Sequence, residues 1–217
     1  MSRIKTVLFD LDGTLVDTAP DMAAALDVLC EEEDQAIIPY EQVRPVVSNG
    51  SLALIRLAFG DVMEEKRLDH LKQRYLEIYE HNICRDSIPF KGIETVLDHI
   101  ESHGLNWGVV TNKPGWLTLP LMESLQLQSR ATTIVSGDTT ANSKPHPDPM
   151  HHACNEARST VDECLYVGDA RRDIEAGRNA GMKTLVANYG YIETEEDVNT
   201  WGADAIIDTP EDILLYL

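Results

Sequence analysis

The sequence predicts an α/β fold in which helices cover both faces of a parallel sheet and a small helical unit is inserted after the first strand. Six short apolar runs recur along the chain. Most are rich in β-branched residues and contain apolar residues in nearly every position, which is typical of strands buried on both faces. Stretches with helical spacing lie between them. One long segment near the start shows helical patterns only.

The alternation of candidate strands and helices is the basis of this prediction. The six candidate strands are TVLF, NWGVVT, TTIVSG, ECLYVG, KTLVAN and DAIID. One candidate helix places four apolar residues on a single face, namely Ile93, Val96, Leu97 and Ile100. Another runs from Ile174 to Gly181, a glycine that suits a helix C-cap. We therefore expect a Rossmann-like parallel sheet.

The segment between about Ala19 and Arg85 breaks this alternation. PDMAAALDVLCEEE and LDHLKQRYLEIYEHNI have the spacing of amphipathic helices. YEQVRPVVSNGSLALIRLAFG predicts two shorter helices around Asn49 and Gly50. No convincing strand lies among these patterns, so the segment is interpreted as a helical insert.

The insert divides the chain into two units. We expect a core that comprises residues 1–16 and 86–217, and a helical cap that comprises residues 17–85. Two connections, near residues 14–18 and 84–89, would join the cap to the core. These two connections could act as hinges for closure of the cap over the core.

Composition limits the classes of function. The 217-residue chain is 43% hydrophobic and carries a formal net charge of −19. We find no stripe of clustered Lys and Arg and no run of the roughly 20 apolar residues that a membrane span needs, so neither nucleic acid nor a membrane is expected as a partner. Four cysteines without a CxxC pair predict reduced thiols and, with the early charges of MSRIKTVLFD, a cytoplasmic location.

Three carboxylates follow the first candidate strand in TVLFDLDGTLVDT. Asp10 ends the apolar run and Asp12 lies two residues later, so that in extended geometry both carboxylates point to the same side. Gly13 permits a tight turn, and Thr14 adds a hydroxyl and an amide. Because functional groups gather at the carboxyl ends of parallel strands, these acids predict a site for a cation such as Mg²⁺. We expect Asp17 to cap the next helix.

Other candidate strand ends supply more polar groups. CLYVGDARRD places Asp169 after an apolar run and Asp173 one helical turn later. The strand in NWGVVT ends at Thr111, and both this residue and Asn112 are donors able to hold a phosphate oxygen. Lys144 in NSKPHPDP adds a positive charge ahead of two prolines that stiffen its loop.

Together these residues resemble the four motifs of the haloacid dehalogenase superfamily, in the order of that family. The motifs are DLDGT at Asp10, Thr111, Lys144 and GDARRD at Asp169. The resemblance covers essentially the whole chain, because the family places its type-one cap where the helical insert lies. It implies a core of that fold and a Mg²⁺-dependent enzyme that hydrolyses phosphomonoesters.

The resemblance also implies roles for the acids and the lysine. Asp10 would attack phosphorus and form an aspartyl-phosphate, while Asp12 would act first as a general acid and then as a general base. Asp10, the backbone carbonyl of Asp12 and Asp169 would hold Mg²⁺. Lys144 would stabilise charge on the phosphate in the transition state. Asp173 would orient Lys144 or a water on the metal.

The remaining candidates would contact the substrate. The residues expected to bind phosphate are Gly13, Thr14, Thr111 and Asn112. The family places its substrate-selecting loop where Ser48, Asn49 and Gly50 lie between two helices of the insert. Arg44 and Arg56 flank this loop, and each could meet an anionic group of the substrate or pair with a nearby acid.

Local similarity narrows the expected substrate. SGDTTANSKPHPDPM is similar to the phosphoglycolate phosphatase group, whereas WGVVTNKP, DIEAGRNAGMKTLVANYGYI and WGADAIID are similar to bacterial N-acetylmuramic acid 6-phosphate phosphatases. We therefore expect a monomer or homodimer whose partner is a small phosphorylated metabolite, either 2-phosphoglycolate or N-acetylmuramic acid 6-phosphate. The alternatives are a sugar phosphomutase of the β-phosphoglucomutase type, which uses the same acids, and a non-catalytic phosphometabolite sensor.

Overall fold

A computed structural model of the chain describes residues 3–194 and 196–217. Its helices are α1 (Ala19–Glu32), α2 (Tyr40–Val43), α3 (Gly50–Phe59), α4 (Glu65–His81), α5 (Ile93–Ser102), α6 (Gly115–Ser124), α7 (Asp148–Glu156) and α8 (Arg171–Ala180). Its strands are β1 (Thr6–Phe9), β2 (Val16–Asp17), β3 (Ile88–Pro89), β4 (Asn106–Val110), β5 (Thr133–Val135), β6 (Cys164–Gly168), β7 (Lys183–Ala187) and β8 (Ala205–Ile207).

Six parallel strands form the main sheet, in the order β5-β4-β1-β6-β7-β8. Each of the six corresponds to one of the apolar runs, so the predicted parallel α/β fold is confirmed. Strand β1 lies between β4 and β6. The residues that follow these three strands are therefore brought to one edge of the sheet.

Alternate residues of β1 face the two opposite helical layers. Val7 and Phe9 pack in a core that includes Val96 of α5, whereas Leu8 packs in a second core with Met150 of α7 and Ala176 of α8. All four residues of β1 are buried. The run is continuous rather than alternating because both faces of the strand are covered.

The segment from α1 to α4 is helical, as predicted, and packs around apolar residues of its own. Leu26 of α1, Leu54 of α3 and Tyr75 of α4 belong to one buried cluster. Before α3, the chain forms α2 and continues as a 3₁₀ helix over Arg44–Asn49. Gly50 has a φ of +80°, which glycine adopts readily, and this residue makes the change of direction at the start of α3.

The two connections between the helical insert and the sheet pair with each other. Strands β2 and β3 form a separate two-stranded antiparallel sheet. The buried Asp21 carboxylate of α1 fastens the second connection, because it accepts hydrogen bonds from the backbone amides of Asp86 and Ser87 at 2.8 and 2.9 Å. Strands of two residues leave no pattern in a sequence, so this pairing was not predicted. The division at residues 17–85 and the hinges stay predictions.

A helix must be long and apolar to cross a membrane. Helix α4 is the longest, with 17 residues. Within residues 3–194 and 196–217, no helix combines the length and the apolar character needed to cross a bilayer. The cytoplasmic location stays a prediction.

Candidate active site

Three acids meet at the carboxyl ends of β1 and β6. Asp10 follows β1, Asp169 follows β6, and Asp173 lies in the first turn of α8. All three are buried, and one carboxylate oxygen from each lies within 4.8 Å of the others. The fold therefore brings together acids that stand about 160 positions apart in the sequence.

The electrostatics of this cluster favour an added positive charge. Burial, and then the charge of Asp173, raise the pKa of Asp10 to about 6, although Lys144 opposes the shift. Burial, and then the charges of Asp10 and Asp173, raise the pKa of Asp169 to about 7. Carboxylate oxygens are the ligands that Mg²⁺ prefers, so this set of donors fits that cation.

The ammonium group of Lys144 contacts two acids of this cluster and two further oxygens. Its Nζ is 2.8 Å from Oδ1 of Asp10 and 2.8 Å from Oδ1 of Asp173. It also donates to the carbonyl of Val110 at 2.9 Å and to the hydroxyl of Tyr166 at 2.8 Å. The role predicted for Asp173, of orienting Lys144, would use this contact.

Asp169 is held in place by donors from three separate segments. The Thr14 hydroxyl donates to its Oδ1 at 3.2 Å, and the Tyr191 amide and the Ser48 hydroxyl donate to its Oδ2 at 2.9 and 2.7 Å. Gly13 has a φ of +87°, and a Cβ there would collide with the same carboxylate. Gly13 and Thr14 thus contact Asp169, and their predicted binding of phosphate stays a prediction.

Asn112 and Thr111 shape the loop between β4 and α6. The side-chain amide of Asn112 makes two hydrogen bonds of 3.0 Å with the backbone of Lys144, one as donor and one as acceptor. The Thr111 hydroxyl accepts a hydrogen bond from the Lys113 amide at 3.1 Å. Asn112 therefore fixes the loop that carries Lys144, a contact that the sequence did not predict.

Lys113 is a residue of the site that the sequence did not predict. Its Nζ lies 2.9 Å from Oδ1 of Asp12 and donates to the hydroxyl of Tyr79 at 2.9 Å. Burial alone would lower the pKa of Lys113, but Asp12 and Tyr79 hold it above its ordinary value. The Thr18 hydroxyl also donates to Oδ1 of Asp12, at 2.7 Å. A sequence pattern could have indicated Lys113. It lies two residues after Thr111, and the same spacing places Asp10 and Asp12 on one side of the chain.

The prediction that Asp17 caps α1 is wrong. The N-terminal amide of the helix, at Ala19, donates instead to the hydroxyl of Tyr191 at 2.9 Å. That hydroxyl in turn donates to Oδ1 of Asp17 at 2.6 Å, and Arg44 lies 3.4 Å from Oδ2 of Asp17. Tyr191 follows β7, so a distant segment takes the place that a local side chain was expected to fill. Of the two choices left open for Arg44, the structure shows pairing with an acid.

Residues 48–50 join the insert to the core. Arg172 of α8 donates to the backbone carbonyl of Ser48 and, at 3.5 Å, to Oδ1 of Asn49. The Asn49 side chain also donates to Glu193 at 2.5 Å. Instead of a loop, these residues form the end of the 3₁₀ helix and, at Gly50, the first residue of α3. Their predicted role in substrate selection stays a prediction.

A cavity of about 370 Å³ opens between the sheet edge and the insert. The residues of the core that line it include Asp10, Asp12, Thr111, Asn112, Lys113, Leu117 and Arg172. Those of the insert include Met22, Val47, Ser48, Asn49, Gly50, Lys72, Tyr75, Leu76 and Tyr79. The two predicted catalytic acids that follow β1 therefore face a space large enough for a small metabolite.

Comparison with known proteins agrees with this arrangement. Residues 7–187 match the haloacid dehalogenase-like hydrolase family. The chain belongs to this family. The resemblance drawn from the four motifs is thereby confirmed, and so is the prediction of an enzyme of the hydrolase class.

Individual relatives cover nearly the whole chain. A Pseudomonas aeruginosa protein named N-acetylmuramic acid 6-phosphate phosphatase is 40% identical over 98% of this chain and 94% of its own length. A Xylella fastidiosa protein named phosphoglycolate phosphatase is 41% identical over 95% of this chain and 90% of its own length. A crystal structure described as a predicted phosphoglycolate phosphatase from Haemophilus somnus has a TM-score of 0.87 at 26% identity, covering 99% of this chain and 98% of that one.

Proposed function

We propose that this chain is a Mg²⁺-dependent phosphomonoesterase that acts on a small phosphorylated metabolite through an aspartyl-phosphate. The observation that carries the proposal is the contact between Asp10 and Lys144 at the edge of the cavity, with Asp12 two residues away. The proposed nucleophile Asp10 and the proposed acid/base Asp12 both line this cavity, and the buried Lys144 contacts Asp10 from behind it. The relatives at about 40% identity are named as phosphatases, which supports the same class.

The first chemical step would transfer the phosphoryl group to the protein. A carboxylate oxygen of Asp10 attacks phosphorus, and the bond between phosphorus and the leaving oxygen breaks. Asp12 donates its proton to that oxygen, so the product leaves as an alcohol. Lys144, whose ammonium already lies 2.8 Å from Asp10, offsets the negative charge that gathers on the phosphoryl oxygens.

The second step would return the protein to its starting state. Asp12, now a carboxylate, takes a proton from a water molecule, and the water oxygen attacks the phosphorus of the aspartyl-phosphate. The bond between phosphorus and Asp10 breaks, inorganic phosphate leaves, and Asp12 again carries the proton. The ion pair with Lys113 at 2.9 Å and the hydrogen bond from Thr18 at 2.7 Å hold Asp12 in position for both transfers.

Mg²⁺ would be held by Asp10 and Asp169, with the backbone carbonyl of Asp12. When bound, it supplies positive charge that lets a phosphate dianion approach an acidic site. Asp173 belongs to the same cluster of oxygens. Because its Oδ1 pairs with Lys144 and its Oδ2 accepts the amide of Ala170 at 3.0 Å, we assign Asp173 to orientation of the lysine.

The decisive experiment measures phosphate release from a panel of compounds with and without Mg²⁺. The panel contains 2-phosphoglycolate, N-acetylmuramic acid 6-phosphate and several hexose phosphates, and Asp10→Asn is the control variant. We expect release that depends on Mg²⁺ and falls by at least about a thousandfold in the variant. Release from no compound, or equal rates for the wild type and the variant, would rule out the proposal.

A parallel assay separates the phosphomutase alternative. With glucose 1-phosphate, a phosphomutase would produce glucose 6-phosphate, whereas a phosphatase releases inorganic phosphate. We expect no isomerisation. Retention of the full biological function by Asp10→Asn would favour the sensor alternative instead.

A further inference from the structure

The cationic side chains on the wall of the cavity differ in their partners. Three cationic side chains line this space, those of Lys72, Lys113 and Arg172. Lys113 is paired with Asp12, and Arg172 donates to the carbonyl of Ser48. Among residues 3–194 and 196–217, no partner forms an ion pair or hydrogen bond with the ammonium of Lys72. A cation in this state is available to an anionic group of a ligand.

The position of Lys72 on α4 places it away from the chemistry. Lys72, Tyr75, Leu76 and Tyr79 are spaced at i, i+3, i+4 and i+7, so they share the helix face that lines the cavity. The Tyr79 hydroxyl contacts Lys113, so Tyr79 marks the end next to the acid/base. Seven residues at 1.5 Å each put Lys72 about 10 Å further along the helix axis. The cavity therefore has one cation near the acid/base, Lys113, and another further along α4, Lys72.

Much of the remaining wall of the cavity is apolar. Met22, Val47, Leu76 and Leu117 line the cavity, together with Tyr75 and Tyr79. The volume of about 370 Å³ equals that of roughly a dozen water molecules at about 30 Å³ each. This space suits a ring-sized body with apolar faces between two anionic ends.

We propose that Lys72 binds a carboxylate carried by the leaving group of the substrate, at the end of the cavity opposite the phosphate. This inference rests on the proposed phosphatase function and narrows its substrate to a sugar-acid phosphate. A single ammonium matches one carboxylate, whereas a second phosphate dianion calls for more donors.

The separation of the two anionic ends decides between the two named substrates. In 2-phosphoglycolate only one CH₂ group separates the phosphate ester oxygen from the carboxylate, so the molecule is short compared with the roughly 10 Å of helix axis between Tyr79, next to the acid/base, and Lys72. In N-acetylmuramic acid 6-phosphate the pyranose ring lies between the phosphate and the lactyl carboxylate. That ring would lie against the apolar wall, with its carboxylate at Lys72.

A matched pair of substrates tests the inference. N-acetylglucosamine 6-phosphate is the same sugar phosphate without the lactyl group. For Lys72→Met we expect kcat/KM on N-acetylmuramic acid 6-phosphate to fall about 10- to 100-fold, mainly through KM, and to change by less than about threefold on the compound without the carboxylate. Lys72→Arg should retain most of the activity, since it keeps the charge.

Lys66→Met is the control variant, because Lys66 is exposed on the same helix and does not line the cavity. An equal loss on both sugars, or no greater loss than in Lys66→Met, would overturn the inference. A wild-type preference for 2-phosphoglycolate would also overturn it while leaving the phosphatase proposal intact. Release of phosphate from no compound by the wild type would instead remove the proposed function, and the inference with it.

Discussion

The ammonium group of Lys113 lies 2.9 Å from the carboxylate of Asp12 and 2.9 Å from the hydroxyl of Tyr79. One buried cation therefore connects the proposed acid/base to helix α4 of the insert. The ring of Tyr79 is also within reach of the cation, with its centroid 4.5 Å from Nζ. Lys113 therefore both positions Asp12 and contacts the insert.

Lys113→Met tests whether this lysine acts through Asp12. The variant removes the charge that positions the acid, so we expect kcat/KM to fall by about 10- to 100-fold for a sugar phosphate. The loss should be smaller with p-nitrophenyl phosphate, because that leaving group needs little protonation. Exposed Lys91 offers the matched control, Lys91→Met. Equal losses with both leaving groups would point to a role in folding or substrate binding rather than in positioning Asp12.

Arg172→Met tests the link between α8 and the insert. The variant removes the hydrogen bonds to Ser48 and Asn49, so we expect a more open insert, a larger radius of gyration in X-ray scattering, and a KM about tenfold higher. The neighbouring Arg171→Met is the control, because Arg171 is exposed and pairs with Glu196. If the two variants gave the same scattering curve, the hydrogen bonds of Arg172 would not be what holds the insert against the core.

Asp169→Asn tests the proposed metal site without any assay of catalysis. In the wild type, Mg²⁺ at 100 times its dissociation constant should stabilise the fold by about 2.7 kcal/mol, because it binds the folded chain and not the unfolded one. This corresponds to a rise in melting temperature of several degrees for a chain of this size. The variant should lose most of that rise, and Asp61→Asn, an exposed acid, should keep it. An unchanged rise in Asp169→Asn would place the cation elsewhere.

Tyr191→Phe tests the hydroxyl that replaces a local helix cap. Its loss leaves the buried amide of Ala19 and one oxygen of Asp17 without a partner. We expect the free energy of unfolding, measured with urea, to fall by about 1–3 kcal/mol. Tyr216→Phe removes a hydroxyl close to the C-terminus and should cost less. Equal stabilities of Tyr191→Phe and the wild type would show that water replaces the hydroxyl.

Local patterns in the sequence predict most of the fold. All six strands of the main sheet were identified from their apolar runs, because a strand covered on both faces has a continuous hydrophobic sequence. The acids Asp10 and Asp169 were identified because each directly follows such a run, and the carboxyl ends of parallel strands gather functional groups. The paired strands β2 and β3 were missed, since each has only two residues.

The contacts within the site that the sequence did not predict share one physical origin. Asp17 was expected to cap α1 from sequence proximity, yet the hydroxyl of Tyr191 arrives from a segment 172 positions away. The side-chain amide of Asn112 lies on the backbone of Lys144, a contact that no local pattern predicts, and its predicted binding of phosphate stays a prediction. A hydrogen bond depends on distance and angle in space, and neighbours in sequence give little information about it.

The sequence by itself determined the family, the parallel sheet and the acids that stand at its edge, because these depend on residue type and on periodicity along the chain. The tertiary structure alone decided which side chains surround those acids. Lys113 pairs with Asp12, Ser48 reaches Asp169 from the insert, and Lys72 lines the cavity without an ion-pair partner in the part of the chain that the structure describes. Each of these relationships joins segments that come together only when helices pack on the sheet, so no local pattern contains them.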